Sequence, residues 1–302
     1  MAELVRDIVS GDIPLIKSIL ANVFCDENYV DIYRLGGMTN RSYKVVRENS
    51  EKYLVRIPGV GTEALINRMD EKKSTELACN LNIDSELIYF GDDGVKVMTF
   101  INNPLDMNEE VMKKEDIILQ AANIFRKLHT CGIDTGVKFE VFEMADMYEK
   151  IIFENKVSLY ADWQDVKKQV VDIKCSVDGN QERVPCHNDS LVDNWVLDEN
   201  NRLFLIDWEY SGMNEPMWDL SCLSIEANYT DKEDLLLLSA YYGRDVTVEE
   251  NKKFIAAKLY VDFLWTLWGL TRVPYDGIFM QEYADGRYNR LKKNILYFNN
   301  IR

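Results

Sequence analysis

The chain has 302 residues, 47% of them hydrophobic, and a formal net charge of −16, so it can bury the cores of two lobes, and its acidity argues against nucleic acid as a partner, since phosphate backbones are bound by clustered lysine and arginine. Six cysteines without a C-x-x-C pair fit a reduced cytoplasmic protein, and two histidines leave little for a zinc site. The N-terminal MAELVRDIVSGD has acids where a secretory signal needs a basic region, and no stretch approaches the roughly 20 apolar residues of a membrane span, so neither export nor membrane insertion is expected.

Apolar positions at Leu4, Val5, Ile8, Leu15, Ile16, Ile19 and Leu20 keep a helical rhythm that Gly11 and Pro14 interrupt, which predicts short helices over 3–21. Strands are predicted over 29–35, 42–46 and 53–57 as an antiparallel meander, with the turn Gly36-Gly37-Met38-Thr39-Asn40 between the first two. A glycine-rich turn lets the backbone approach phosphates, although Gly-Gly is equally an ordinary hairpin turn and no G-x-G-x-x-G or G-x-x-x-x-G-K-[ST] occurs. Beside it, Arg56 on the third strand is a candidate for holding phosphate bidentately. A helix over 62–81 is expected to bury Leu65, Ile66, Met69, Leu77 and Leu81; it carries Glu71 and Glu76, either of which can turn toward Arg56, with Glu71 favoured.

Strands follow at 86–90 and 95–100, and Ile101-Asn102-Asn103-Pro104 reads as a linker. It sets the predicted lobe boundary, 1–101 against 102–302. Beyond it, a helix over 115–130 ends before Gly132 as C-cap, and its His129 is read as a packed or capping residue. Residues 144–175 are rich in helix formers, and helices are predicted over 216–229, 231–242, 248–271 and about 279–298. The second lobe is therefore mainly helical.

The chemistry concentrates in residues 184–219, VPCHNDSLVDNWVLDENNRLFLIDWEYSGMNEPMWD. Asn194 lies five residues after Asp189, and the apolar run 203–206 delivers Asp207. That interval equals the one in the protein-kinase loop H-R-D-x-x-x-x-N, and Asp207 falls where the D-F-G aspartate stands. Hard oxygen ligands of this kind suit Mg²⁺ bridging nucleotide phosphates, which makes Asn194 and Asp207 candidate metal ligands and leaves Asp189 to accept a hydroxyl proton. Turn chemistry accounts for residues 198–201 but not for the His187-Asn188-Asp189 triplet or Asp207. Later, Trp265 and Trp268 share a helix face. Such rings either pack as core or form a cage for a cationic headgroup, with Glu226 or Asp262 as counter-charge and Tyr229 as a further wall.

Taken together, Leu35-Gly-Gly-Met-Thr-Asn40, Val55-Arg56-Ile57, His187-Asn-Asp189 with Asn194, Ile206-Asp-Trp-Glu-Tyr210 and Phe263-Leu-Trp-Thr-Leu-Trp268 resemble the choline and ethanolamine kinases, within the wider group of aminoglycoside-phosphotransferase-like kinases. Cys186-His-Asn-Asp189 joined to Asp207-Trp-Glu-Tyr-Ser-Gly-Met-Asn214 looks especially like bacterial choline kinases of the phosphorylcholine pathway. A departure is Glu215-Pro-Met-Trp-Asp219, where animal enzymes have a tyrosine-rich stretch. The resemblance implies an α+β, two-lobed protein-kinase-like fold, with a small N-lobe built on an antiparallel sheet and a larger, mainly helical C-lobe. It implies ATP and Mg²⁺ as cofactors and phosphorylation of the choline hydroxyl. By position, Asp189 is the base; Asn194, Asp207 and Glu209 hold the metal; Gly36, Gly37, Thr39, Asn40, Arg56, Glu71, Phe100 and Ile101 surround the nucleotide; Glu209, Glu226, Tyr229, Trp265 and Trp268 surround choline. Ethanolamine, another cationic alcohol or an aminoglycoside is the alternative substrate, and a nucleotide-binding pseudokinase the alternative outside enzymes.

Overall fold

The computed structural model describes residues 2–36, 40–59, 66–177 and 182–300, with 2–10 as backbone only. In chain order the elements are helix α1 (Ala2–Phe24), strands β1 (Asp31–Arg34), β2 (Arg41–Val46) and β3 (Lys52–Ile57), helix α2 (Arg68–Asn80), and strands β4 (Leu87–Phe90) and β5 (Lys96–Thr99). Helices α3 (Glu109–Met112), α4 (Glu115–His129), α5 (Val141–Glu154) and α6 (Trp163–Val177) follow. Then come β6 (Val184–Cys186), a 3₁₀ turn at Val192–Asn194, β7 (Trp195–Leu197), β8 (Leu203–Leu205) and β9 (Gly212–Asn214). Helices α7 (Pro216–Glu226), α8 (Asp231–Tyr242), α9 (Val248–Asp276) and α10 (Ile278–Asn300) end the chain. Two compact units result: residues 1–106 with 194–210, and residues 107–193 with 211–302. The first unit thus extends past the boundary expected at 101/102, and the segment carrying Asn194 and Asp207 returns to it, because β7 and β8 pair as a hairpin and Leu197 bridges to Leu105.

In the first unit the five-stranded antiparallel sheet has the order β1-β2-β3-β5-β4. The expected meander holds through β3; β5 then takes the next place and β4 the edge. One sheet face, with Tyr43, Val45, Tyr53, Val55 and Val97, packs on Ile16, Ile19 and Leu20 of α1 to form the core. Side chains alternate across a strand, so Leu54, Arg56, Lys96 and Met98 face the other way. Helix α1 runs through Gly11 and Pro14, where short helices are expected. An interior proline costs about 3 kcal/mol, and burying three large aliphatic side chains at roughly 1.5–3 kcal/mol each more than offsets it.

Helix α2 departs most from its expected pattern. Asn67 caps it, and its buried residues are Glu71, Ser74, Thr75 and Ala78, whereas Met69 is 52% exposed. The helix turns a polar face inward because a buried arginine is there to meet Glu71. Leu65 lies outside the described residues.

The second unit is built on α9 against α10, with α5, α6 and α7 packed on α9, and with α4 and α8 paired beside α7. Helix α9 starts at a capping box in which Thr247 and Glu250 satisfy each other's backbone N–H groups. It passes the expected end at 271 and stops before Gly277, whose φ of +66° suits a residue without Cβ. Gly269 is where α10 approaches: an added Cβ would lie 2.8 Å from the Tyr283 ring. Strands β6 and β9 form a two-stranded ribbon that emits the His187-Asn188-Asp189 loop. Among the described residues no helix is long and apolar enough to cross a membrane.

Candidate active site

A cavity of about 230 Å³ opens on the polar side of the first unit's sheet. Leu35, Gly36, Leu54, Met98, Phe100 and Ile101 give it apolar lining, and Arg56, Asp84, Lys96 and Asp207 a charged end. Four sequence-predicted residues, Gly36, Arg56, Phe100 and Ile101, therefore line one space together with Asp207. Gly37 and Thr39 lie outside the described residues. Asn40, buried at the end of the same turn, accepts the Gly59 N–H at 3.2 Å and donates to Glu209 at 3.2 Å. Along the cavity wall, Glu86 O already accepts the N–H of Thr99 and Lys52 O that of Phe100; the next donor is the Ile101 N–H.

Arg56 is the hub of the charged end. One guanidinium nitrogen pairs with Glu71, and the other with Glu209 and, at 2.8 Å, with Asp207. Arg68 also reaches Glu71, at 2.7 Å. Glu76, the alternative partner, is exposed. Burial works against the charge on Arg56, and Asp207, Glu71 and Glu209 outweigh it, so its pKa rises further. Burial likewise pushes the Glu71 carboxyl up, but Arg56, Lys96 and Arg68 hold it down at about 2. Glu209 is raised, burial prevailing over Arg56. Burial also lifts Asp84 to about 6 against the pull of Lys96, and Asp84 accepts from Trp208 Nε1 at 3.1 Å.

The second carboxylate element is strained in place. Asp207 has a φ of +68°, a conformation that aspartate tolerates better than branched residues do. Ile206 N–H donates to Asn194 O at 2.9 Å, which ties Asn194 to the residue before Asp207. Carboxylate oxygens of Glu71, Asp207 and Glu209 lie within 4.8 Å of one another. They are hard donors of the type Mg²⁺ takes.

In the second unit the loop after β6 is held from beneath. Asp219 of α7 accepts the N–H of His187 and of Asn188, each at 2.7 Å, and binds His129 Nε2 at 3.0 Å; His129 Nδ1 meets the Tyr241 hydroxyl at 3.0 Å. His129 is thus a buried hydrogen-bonded residue. Asn188 adopts a φ of +67°, which an asparagine can accept, and its amide bonds Gly212 O and Asn214. The Asp189 N–H donates to His187 Nδ1 at 3.2 Å, which leaves that ring's proton for Nε2.

The aromatic residues lie in the same unit. Trp265 and Trp268 meet edge-on at 5.8 Å, and Trp268 meets Tyr283 edge-on at 5.8 Å. Arg287 sits 4.8 Å from the Tyr283 ring and pairs with Glu226 and Asp262; Arg290 binds Asp262 at 2.6 Å. Burial, and then the charges of Glu226 and Asp189, raise the Tyr283 hydroxyl while Arg287 opposes them. Tyr229 is buried, its hydroxyl donating to Met112 O at 2.7 Å.

A family model described as choline/ethanolamine kinase matches residues 33–262. The chain belongs to that family. A crystal structure of choline kinase LicA from Streptococcus pneumoniae is 31% identical, with a TM-score of 0.81 over 94% of this chain and 98% of that one. A structure of LicA in complex with AMP is also 31% identical, with a TM-score of 0.79 and the same coverage. A probable ethanolamine kinase from Arabidopsis thaliana is 27% identical over 307 residues, 89% of this chain and 80% of the relative. The α+β protein-kinase-like fold follows, one unit on an antiparallel sheet and the other mostly helical. For a choline/ethanolamine kinase, the motifs omit several residues that geometry brings forward: Lys96, Arg68, Asp219, Tyr283 and Arg287. Asp219 and Arg287 are buried charges with no apolar periodicity to mark them. Lys96, set between Val95 and Val97 inside a strand, takes the place that alternation assigns to solvent.

Proposed function

We propose that the chain transfers the γ-phosphoryl group of ATP to the hydroxyl of choline, giving phosphocholine and ADP. One observation carries the choice of substrate: Trp265, Trp268 and Tyr283 meet edge-on in series beside the Arg287–Glu226 pair, in the same unit as Asp189. A base and a set of aromatic faces in one unit suit an alcohol tethered to a quaternary ammonium. A primary ammonium wants hydrogen-bond acceptors, and Glu226 and Asp262 are already held by Arg287 and Arg290. Choline is therefore favoured over ethanolamine and over an aminoglycoside.

In this reading Asp189 accepts the hydroxyl proton as the bond to phosphorus forms. Trp265 and Trp268 hold the trimethylammonium group, with Glu226 and Tyr229 completing the surroundings. Gly36, Asn40, Phe100 and Ile101 bound the nucleotide, and Arg56 fixes Glu71, Asp207 and Glu209 in register. Asp207 and Glu209, with Asn194, would hold Mg²⁺, which when bound neutralises phosphate charge. The rest of the catalysis is orientation of two reactants. The presence of Asp189, Asn194 and Asp207 together argues against a pseudokinase. All six cysteines are free thiols, in keeping with a cytoplasmic location.

The test is ADP release from Mg·ATP with choline, ethanolamine or an aminoglycoside supplied singly. Choline is expected to exceed the other two by at least tenfold in kcat/KM. Preference for ethanolamine would discard the choline assignment while leaving the family intact.

A further inference from the structure

The register of β3 against β5 sets Arg56 directly opposite Lys96. Both therefore project from the same sheet face into the cavity, with Leu54 and Met98 beside them. Like charges at directly opposed positions of an antiparallel pair repel. Glu71 offsets the repulsion, since its Oε1 pairs with Arg56 and lies 3.4 Å from Lys96 Nζ.

The two cations differ in what remains to them. Arg56 is committed on both terminal nitrogens, to Glu71 on one side and to Asp207 and Glu209 on the other. Lys96 is 2% exposed, and among the described residues its Nζ makes no hydrogen bond, its contact with Glu71 being ionic only. An ammonium carries three donors. Burying one without hydrogen bonds is unfavourable, unless a ligand supplies the acceptors. The cavity also holds the carboxyl of Asp84, on which Lys96 acts, and turns apolar toward Phe100 and Ile101, so an anion entering it meets Lys96 as the cation whose donors are not committed.

We propose that Lys96 is the cation of this unit that contacts the nucleotide's phosphate groups, with Arg56 acting as the strut that positions Glu71, Asp207 and Glu209. The inference rests on the kinase reading above and reassigns the phosphate contact expected of Arg56. It fits the two side chains: a planar guanidinium serves several carboxylates at fixed angles, whereas a flexible ammonium follows a mobile polyphosphate.

The experiment is calorimetric titration of the full chain with ATP and, separately, with adenosine, for wild type, Lys96→Met, Lys96→Gln and Lys96→Arg, each checked for folding by thermal melting. The two neutral variants are expected to bind ATP at least tenfold more weakly while holding adenosine within twofold, and Lys96→Arg to recover most of the ATP affinity. Either neutral variant that folds suffices for the comparison. Unchanged ATP affinity, or a parallel loss for adenosine, overturns the assignment and makes Lys96 a structural partner of Glu71. Wild type binding neither probe would overturn the kinase reading beneath it as well.

Discussion

Asp219 accepts the backbone N–H groups of His187 and Asn188, one on each carboxylate oxygen, both at 2.7 Å. Trp218, its neighbour in α7, donates from Nε1 to Asn188 O at 2.8 Å, and Ser190 Oγ donates to Asp219 O at 3.2 Å. The start of α7 therefore fixes the loop that presents Asp189. Asp219→Asn keeps the shape but turns an amide NH₂ toward one of those N–H groups. A hydrogen bond to a charged group contributes about 1.5–3 kcal/mol, so the melting temperature should fall by several degrees. Turnover should drop at least tenfold, while ATP affinity stays within threefold. Kinetics alongside calorimetry checks this; unchanged kcat would mean that the loop is held without Asp219.

The N-terminus of α9 offers a pH test. Arg244 beside Glu250, helped by the Thr247 backbone and hydroxyl, holds the Glu250 carboxyl at about 2. A depressed carboxylate stabilises the fold above its unfolded-state value near 4.5 and loses that contribution as pH falls toward 2. Glu250→Ala should cost about 1 kcal/mol at pH 7, the usual scale of a lost cap. Urea denaturation at pH 7 and at pH 3.5 should show the gap between variant and wild type narrowing at the lower pH. A gap independent of pH would assign the effect to packing.

Trp268 packs against both Trp265 and Tyr283, so truncation to alanine would confound binding with a cavity costing about 3–5 kcal/mol. Trp268→Phe keeps an aromatic face with a weaker quadrupole. It should raise the KM for choline by fivefold to thirtyfold, on the order of 1–2 kcal/mol of cation–π attraction, with kcat within twofold. Steady-state kinetics on folded variant checks this; an unchanged KM would make the tryptophans core alone.

Several of these elements are legible in the sequence. The strand segments of β2, β3 and β5 are placed by their composition and bounding turns, the residues of the nucleotide turn and Arg56 stand out together, and the helical stretches of α8 and α9 are expected close to where they lie. What stays hidden is hidden for physical reasons. Helix α2 buries Glu71, Ser74 and Thr75 because Arg56 meets it, and apolar periodicity cannot register a polar face satisfied by a distant strand. The order β3-β5-β4 and the return of residues 194–210 to the first unit are long-range pairings that no local pattern specifies. Lys96 escapes because a charged residue on a strand reads as solvent-facing until its cross-strand partner is known. Arg287 escapes for the converse reason: Glu226 alone looks like an open counter-charge, and its partner comes 61 positions later in α10.

The central claim is tested most directly by ³¹P NMR of the products formed from Mg·ATP and choline, with wild type and Asp189→Ala run side by side. Wild type should give phosphocholine in step with ADP. The Asp189→Ala variant should still bind ATP and yield less than about one-thousandth as much, in line with the loss of a general base working together with positioning. ADP without phosphocholine, or phosphocholine from the variant at wild-type rate, would contradict the account.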